Sequence, residues 1–175
     1  MPFRLLSFLL LALLLSSCAS YYQRNSAFMN HLGKGNYKKA EKEYASDKKM
    51  DKRKARFLYF TNLGLVNHLQ GDYDTSNYYF EKAYRMIEDE KDKMVAEQAV
   101  ALITNPKLIT YRGEDHEVLF INYYMALNYL YLNNYEAALV EVRRMRIRLN
   151  EQNDRYKGKA NRYDDDAFIN LLSGL

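Results

Sequence analysis

Residues 60–80 read FTNLGLVNHLQGDYDTSNYYF, and the fold prediction starts from this stretch. Gly71-Asp72-Tyr73 interrupts a run of helix-forming residues, and glycine readily adopts the left-handed backbone conformation that ends a helix. Three residues after Tyr73 comes the small Ser76, and four residues later the large Phe80. The pattern predicts two helices joined by a tight turn, with the small residue at the point where the helices approach most closely.

The same pattern of turn, tyrosine, small residue and large residue occurs three times in the chain. Such recurrence indicates a repeat in which each unit is one pair of helices. The other two instances are Gly35-Asn36-Tyr37 with Ala40 and Tyr44, and Asn133-Asn134-Tyr135 with Ala138 and Val142. The turns resemble the second half of the 34-residue TPR repeat, in which a tight turn joins helix A to helix B.

The helices that precede these turns carry the first half of the same resemblance. A TPR repeat has a small residue where helix A crosses its neighbour, and Gly64 and Ala126 stand at that position. The four signature positions hold Phe60, Leu63, Gly64 and Asn67 in repeat two, Asn122, Met125, Ala126 and Tyr129 in repeat three, and a weaker set of Ala27, Phe28 and His31 in repeat one. The resemblance implies structural roles in the repeats for Tyr37, Gly64, Gly71, Tyr73, Ala126, Tyr135 and Ala138.

We therefore predict an all-α fold, a TPR-like array of helical hairpins (an α-solenoid) with one inserted helix. Its parts are repeats at about 26–47, 56–89 and 114–149, the inserted helix at 92–104, a linker at 151–163, and the first helix of an incomplete further repeat at 164–175. The inserted helix rests on helical spacing of apolar residues before Asn105-Pro106. The unfinished last repeat suggests a truncated form of a longer protein. The alternative fold is an antiparallel helical bundle with coincident turns.

The first eighteen residues predict export and lipidation. Arg4 precedes an apolar run of 11 residues, Leu5 to Leu15, which is too short to span a bilayer and is typical of a signal peptide. Leu15-Ser16-Ser17-Cys18 resembles the lipobox of bacterial lipoproteins. That resemblance implies removal of residues 1–17, a diacylglycerol on the Cys18 thiol, a further acyl chain such as palmitate on the new amino terminus, and a lipidated tether at 18–25.

The composition limits the classes of partner. The chain carries 26 basic and 22 acidic side chains, and this small excess is spread along the sequence rather than gathered in a basic stripe. We expect no nucleic-acid partner. The lipid on Cys18 predicts a membrane anchor. By analogy with lipoprotein sorting, the absence of aspartate at Ala19 and Ser20 favours the outer membrane, facing the periplasm.

No arrangement of residues predicts an enzyme or a metal site. Glu114-Asp115-His116-Glu117 lacks the second histidine four residues after His116 that would place two zinc ligands on one helical face, since Phe120 occupies that position. The acidic residues there are better explained as the start of a helix. The only cysteine, Cys18, is assigned to lipidation, so no nucleophile can be named. We predict no catalytic residue, no metal and no cofactor beyond the covalent lipid.

The surface with the strongest prediction of binding is the concave side of the array, which helix A of each repeat lines. Tyrosines there would offer rigid amphipathic contacts to a peptide or a helix. The predicted groove residues are Asn62, Leu65, His68, Tyr123, Tyr124, Leu127 and Tyr131, with Leu58, Thr61 and Phe120 on the same wall. An equally open alternative is that these tyrosines pack against the inserted helix 92–104.

The second half of the chain resembles a poorly characterised family of TPR-containing bacterial envelope lipoproteins. The residues that carry the resemblance are Tyr111-Arg112-Gly113-Glu114 with Glu117, Tyr124 to Leu130, Ala138 to Arg144, and Leu172 to Leu175. It implies a scaffold or adaptor that binds a protein partner in envelope assembly or secretion. The alternative is an accessory lipoprotein for polysaccharide or peptidoglycan processing, which binds glycan or a murein enzyme.

Overall fold

The computed structural model describes residues 21–46, 55–103, 110–111 and 113–155, together with residues 171 and 174. Six helices make up its regular structure over those ranges: α1 Tyr21–Gly33, α2 Tyr37–Ser46, α3 Arg56–Gln70, α4 Tyr73–Ile103, α5 Asp115–Tyr131 and α6 Tyr135–Arg155. The predicted all-α class is therefore confirmed. The chain forms two compact units, the first containing α1 and α2 and the second containing α3 to α6.

The three predicted turns have one backbone geometry. Each contains a residue with positive φ, namely Gly35 at 70°, Gly71 at 79° and Asn133 at 57°. In each, the next amide donates to the carbonyl five residues back: Asn36 to His31 at 2.9 Å, Asp72 to Asn67 at 3.0 Å and Asn134 to Tyr129 at 2.8 Å. These bonds satisfy carbonyls that the end of a helix leaves without a partner. The prediction that Gly or Asn ends the first helix of each pair is confirmed.

Side chains at the repeated positions form the contacts between paired helices. The small residues Ala40, Ser76 and Ala138 and the large residues Tyr44, Phe80 and Val142 are all buried. In the first unit the ring of Phe28 lies 4.5 Å from that of Tyr44. In the second unit Gly64 faces Phe80, and a β-carbon at Gly64 would lie 2.7 Å from the ring. Close approach of α3 and α4 therefore depends on the glycine at this crossing.

Two clusters of buried apolar side chains hold the second unit together. One joins α3, α4 and α5, and the other joins α5 and α6, so α5 has apolar residues on both sides. Burial of this kind stabilises a helix far more than its intrinsic propensity does. The clusters are Phe57, Phe80, Ala83, Ile87, Val118, Ile121 and Met125, and Leu119, Ala126, Val142, Met145 and Leu149.

The predicted inserted helix is not a separate element. α4 continues without a break from Tyr73 to Ile103, a span of 31 residues and about 46 Å. No glycine or proline occurs in this span, and the charged residues between the two apolar segments are good helix formers. Nothing in the local sequence ends the helix near residue 89, so residues 92–103 continue α4.

Other boundaries also differ from the prediction. α1 begins at Tyr21, so the last five residues of the predicted tether are helical, and α6 continues to Arg155, into the predicted linker. Several predictions lie outside the described residues. They are the predicted signal peptide, the lipidation of Cys18, the rest of the predicted linker, and the predicted helix 164–175 apart from Leu171 and Gly174. Within the part of the chain that the structure describes, no helix is both long enough and apolar enough to cross a membrane.

Candidate functional site

A cavity of about 190 Å³ opens between α3 and α5, and we call it the groove. Thr61, Asn62 and Leu65 line it from α3, and Phe120 and Tyr124 from α5. The other residues around it are Phe57, Phe80, Glu117 and Ile121. Phe120 is 50% exposed although its ring is wholly apolar. An apolar wall that stays accessible to solvent is the kind of surface on which partners bind.

Four aromatic side chains extend from one end of the groove, and we call them the aromatic band. The rings of Tyr73 and Tyr131 stack at 4.7 Å, with an angle of 8° between their planes. The His68 ring lies 5.0 Å from Tyr124 and 5.8 Å from Tyr73. Tyr124 also lines the groove, so the two surfaces are continuous. Tyr131 is 60% exposed and gives the band a face toward solvent.

A buried polar network fixes the position of His68. The Asn128 side chain is fully buried, and its Nδ2 donates to Ser76 Oγ and to Asn77 Oδ1, each at 2.8 Å. Its Oδ1 lies 2.6 Å from Nδ1 of His68. An amide oxygen can only accept, so Nδ1 of His68 donates in this hydrogen bond. Ser76 Oγ donates in turn to the Gly64 carbonyl at 2.7 Å.

Replacing Asn128 by alanine is expected to lower the free energy of unfolding by about 2 kcal/mol. The change leaves His68 Nδ1 and Asn77 Oδ1 without a partner inside the protein, and unsatisfied buried polar groups are costly. Urea denaturation followed by circular dichroism measures the loss. Asn150, which is exposed on α6, is the matched control. If Asn128→Ala is no more destabilising than Asn150→Ala, the network does not stabilise the fold.

The structure separates the predicted groove residues into those that line the groove, those of the aromatic band, and those that belong to neither. Asn62, Leu65 and Tyr124 line the groove, as do Thr61 and Phe120, whereas His68 and Tyr131 belong to the aromatic band. Tyr123 packs against Tyr124 at 5.1 Å, and burial raises the pKa of its hydroxyl. Leu58 packs against the first apolar cluster, and Leu127 is half-buried without lining the cavity. The tyrosines thus contact rings of α3, α4 and α5.

Four residues of the groove were not predicted from the sequence. Phe57 and Ile121 are apolar residues of α3 and α5, and their repeat positions gave no reason to place them at a cavity. Phe80 was predicted only as the large residue of its helix pair, yet its ring stacks on Tyr124 at 5.7 Å. Glu117 was expected at the start of a helix, and its position at the groove follows from the packing of α5 on α3.

The acidic segment Glu114 to Glu117 forms the start of α5, as predicted from the sequence. Glu117 Oε2 accepts a hydrogen bond from the Glu114 amide at 2.8 Å and another from the Tyr111 hydroxyl. The pKa of the Tyr111 hydroxyl is raised above its usual range, mainly because the group is buried and next because it donates a hydrogen bond to Glu117. Among the described residues, no group of three or more His, Cys, Asp or Glu side chains is placed to hold a metal ion.

Comparison with protein-family models, with curated proteins and with solved structures finds no match to this chain.

Proposed function

We propose that this protein is a membrane-anchored, TPR-like lipoprotein that acts as a scaffold or adaptor in cell-envelope assembly or secretion. In this proposal the lipid on Cys18 anchors the protein to the outer membrane, and the protein faces the periplasm. The groove between α3 and α5 binds a partner protein. The observation that carries the binding part of the proposal is the accessible aromatic wall of that groove.

The chemistry of the groove favours a partner that inserts apolar side chains. Thr61 Oγ donates to backbone carbonyls of its own helix, at Phe57 and Leu58, and Glu117 accepts from Tyr111 and Glu114. These polar side chains are therefore engaged inside the protein, and Phe120, Leu65 and Tyr124 offer apolar and aromatic surface to a partner. Aromatic side chains in a concave site are typical anchors for a helix or a peptide with large apolar residues.

The three equivalent turns support the TPR-like part of the proposal. In each turn one residue has a positive φ, and the amide of the next residue donates to the carbonyl five residues back. Each turn is followed by a buried small residue and a buried large residue. In repeat arrays, successive helix pairs form an extended concave surface for binding. A protein of this kind needs no catalytic residue, since its function lies in holding a partner.

Photo-cross-linking tests the groove. A benzoylphenylalanine at position 120 of the full chain in cells is expected to form an adduct with one partner protein, which mass spectrometry identifies. The same residue at position 147 is the matched control, because Ile147 is also exposed, at 61% against 50% for Phe120, but lies on α6 away from the groove. Equal adducts at the two positions, or none at position 120, would contradict the proposal.

The identified partner then permits a binding measurement. Phe120→Ala is expected to weaken its affinity at least about tenfold, because truncating an anchor residue commonly costs more than 1.4 kcal/mol of binding energy. Ile147→Ala should leave the affinity unchanged. Phe120 is half-exposed, so its removal should affect folding little, and circular dichroism checks this. An unchanged affinity for Phe120→Ala would place the contact outside the groove.

A further inference from the structure

The helices on either side of the groove carry almost no basic side chains. α5 contains no lysine or arginine, and α3 contains one, Arg56 at its first residue. Neither residue type occurs at any position from 57 to 81 or from 113 to 142, although the whole chain has a net charge of +4. The nine described residues that line the groove all fall within these two segments. An acidic partner would therefore meet no counter-charge on the groove wall.

Carboxylates give this surface a negative charge. Glu117 lines the groove, and the groups that donate hydrogen bonds to it, the Tyr111 hydroxyl and a backbone amide, carry no positive charge. Asp72 and Asp74 are exposed, and they lie on either side of Tyr73, a residue of the aromatic band. Because like charges across an interface repel each other, the charged groups of a partner that face these carboxylates are expected to be basic.

The aromatic band is a second feature that favours a cation. Stacking on Tyr73 covers only one face of the Tyr131 ring, and Tyr131 is 60% exposed, so its other face is accessible. The face of a tyrosine ring attracts an ammonium or guanidinium group that lies within about 6 Å of its centre. Elsewhere in this chain Lys82 makes such a contact, with its Nζ 4.4 Å from the centre of the Tyr78 ring. A basic side chain of a partner would fit Tyr131 in the same way.

The walls of the groove favour a helix over an extended peptide. They are side chains of packed helices, which offer few hydrogen bonds to the backbone of a partner. A helix satisfies its own backbone groups and needs only apolar side chains on one face to bind in such a groove. Phe120 and Tyr131 are 11 positions apart on α5, a distance of about 16 Å. A partner helix of roughly four turns would therefore contact both the groove and the aromatic band.

We propose that the segment bound in the groove is a cationic amphipathic helix of the partner protein. Its apolar face packs on Leu65, Phe120 and Tyr124, and a lysine or arginine at one end lies on Tyr131 beside Asp72. Tyr124 belongs to both the groove and the aromatic band, so one helix can make both sets of contacts. This inference rests on the proposed function, since it names the chemistry of the partner that the groove binds.

Two synthetic peptides test the choice of charge. Each has about 14 residues, with leucine at the apolar positions of a helix and either lysine or glutamate at all the others. Fluorescence anisotropy of the labelled peptides measures their binding to the full chain in a neutral detergent. The lysine peptide is expected to bind at least about tenfold more tightly, although the net charge of +4 by itself would favour the glutamate peptide. Equal affinities, or no binding of the lysine peptide, would overturn the inference.

Two double variants assign the preference to this surface. Asp72→Asn with Tyr131→Leu removes a charge and a ring at the aromatic band, and is expected to weaken binding of the lysine peptide about tenfold. Asp89→Asn with Tyr78→Leu makes the same changes elsewhere on α4 and should leave the affinity unchanged. Asp89 is exposed, and Tyr78 is 55% exposed against 60% for Tyr131. Peptide bound to detergent is the same for both variants, so equal affinities would overturn the inference.

Asp72→Asn should preserve the fold. The Asp72 carboxylate accepts a hydrogen bond from the Thr75 amide at 3.1 Å, and in the third turn the Asn134 side chain accepts from the Ala137 amide at the same distance. Asparagine therefore serves at this position of the turn. Should the double variant fail to fold, Asp72→Asn alone is expected to weaken binding about threefold, and unchanged binding by that variant would equally overturn the inference.

Phe120→Ala separates failure of this inference from failure of the proposed function. The change should weaken binding of both peptides, because each inserts leucine side chains into the groove. If the two peptides bind equally and Phe120→Ala weakens both, the groove binds apolar helices regardless of charge, and only the cationic assignment is overturned. If Phe120→Ala weakens neither, the peptides bind elsewhere, and both the assignment and the groove are overturned.

Discussion

Replacing Gly113 by alanine is expected to lower the free energy of unfolding of the second unit by about 3 kcal/mol. Gly113 has a φ of 86°, a conformation that costs a residue with a β-carbon about 1–2 kcal/mol. The added carbon would also lie 2.4 Å from Cζ of Phe57. Phe57 is fully buried in the cluster that joins α3, α4 and α5, so its ring has little room to move. Overpacking of this kind typically costs 1–3 kcal/mol.

Gly71 is the matched control for this prediction. It has a similar φ of 79°, but nothing lies within 4 Å of a β-carbon placed there. Gly71→Ala should therefore lower the free energy of unfolding by only about 1 kcal/mol, because the positive φ is its only source of strain. Urea denaturation of both variants, followed by circular dichroism, separates the steric contribution from the backbone contribution. If the two variants lose the same stability, the Phe57 ring accommodates the methyl group and the close packing at Gly113 is not limiting.

Replacing Cys18 by serine is expected to abolish lipid attachment altogether. Thioether formation with diacylglycerol requires the thiol, and the resemblance of Leu15-Ser16-Ser17-Cys18 to a lipobox assigns that role to Cys18. Without acyl chains the protein loses the anchor that the lipid is proposed to provide, because membrane binding by lipidation depends on the buried methylene groups. Incorporation of labelled palmitate and membrane fractionation measure both effects.

Ser20→Ala is the control for the lipidation prediction, since it changes a residue two positions beyond the cysteine without removing the thiol. It should keep both the label and the membrane association. Palmitate incorporation that survives in Cys18→Ser would show that the lipid, if present, is attached elsewhere. Loss of the label from both variants would point to a general failure of export.

The turns were the most predictable part of this fold. Each is a local feature, because a left-handed residue and the amide that follows it close hydrogen bonds within six residues. The burial of Ser76 and Phe80 could also be predicted, since their spacing on a helix places them on one face. The length of α4 was predicted wrongly, because a charged segment that forms helix well gives no signal of a boundary.

The lining of the groove was less predictable, and for a different reason. Repeat position brought Asn62, Leu65 and Tyr124 correctly to one wall, because residues on one helical face line one surface. It could not place Phe80 behind Tyr124, or Glu117 beside them, since those contacts depend on how three helices pack. The ion pair between Glu81 and Arg144 likewise joins residues that are 63 positions apart in the sequence.

By itself, the sequence determined the helical class, the three turns and the small and large residues between paired helices, because each depends on neighbours within about one helical turn. The tertiary structure alone decided the Asn128 network, the stacking of Tyr73 on Tyr131 and the burial of Glu141. Those features depend on distances between residues that are remote in the chain. Such distances are fixed only when the packed helices exclude every other arrangement.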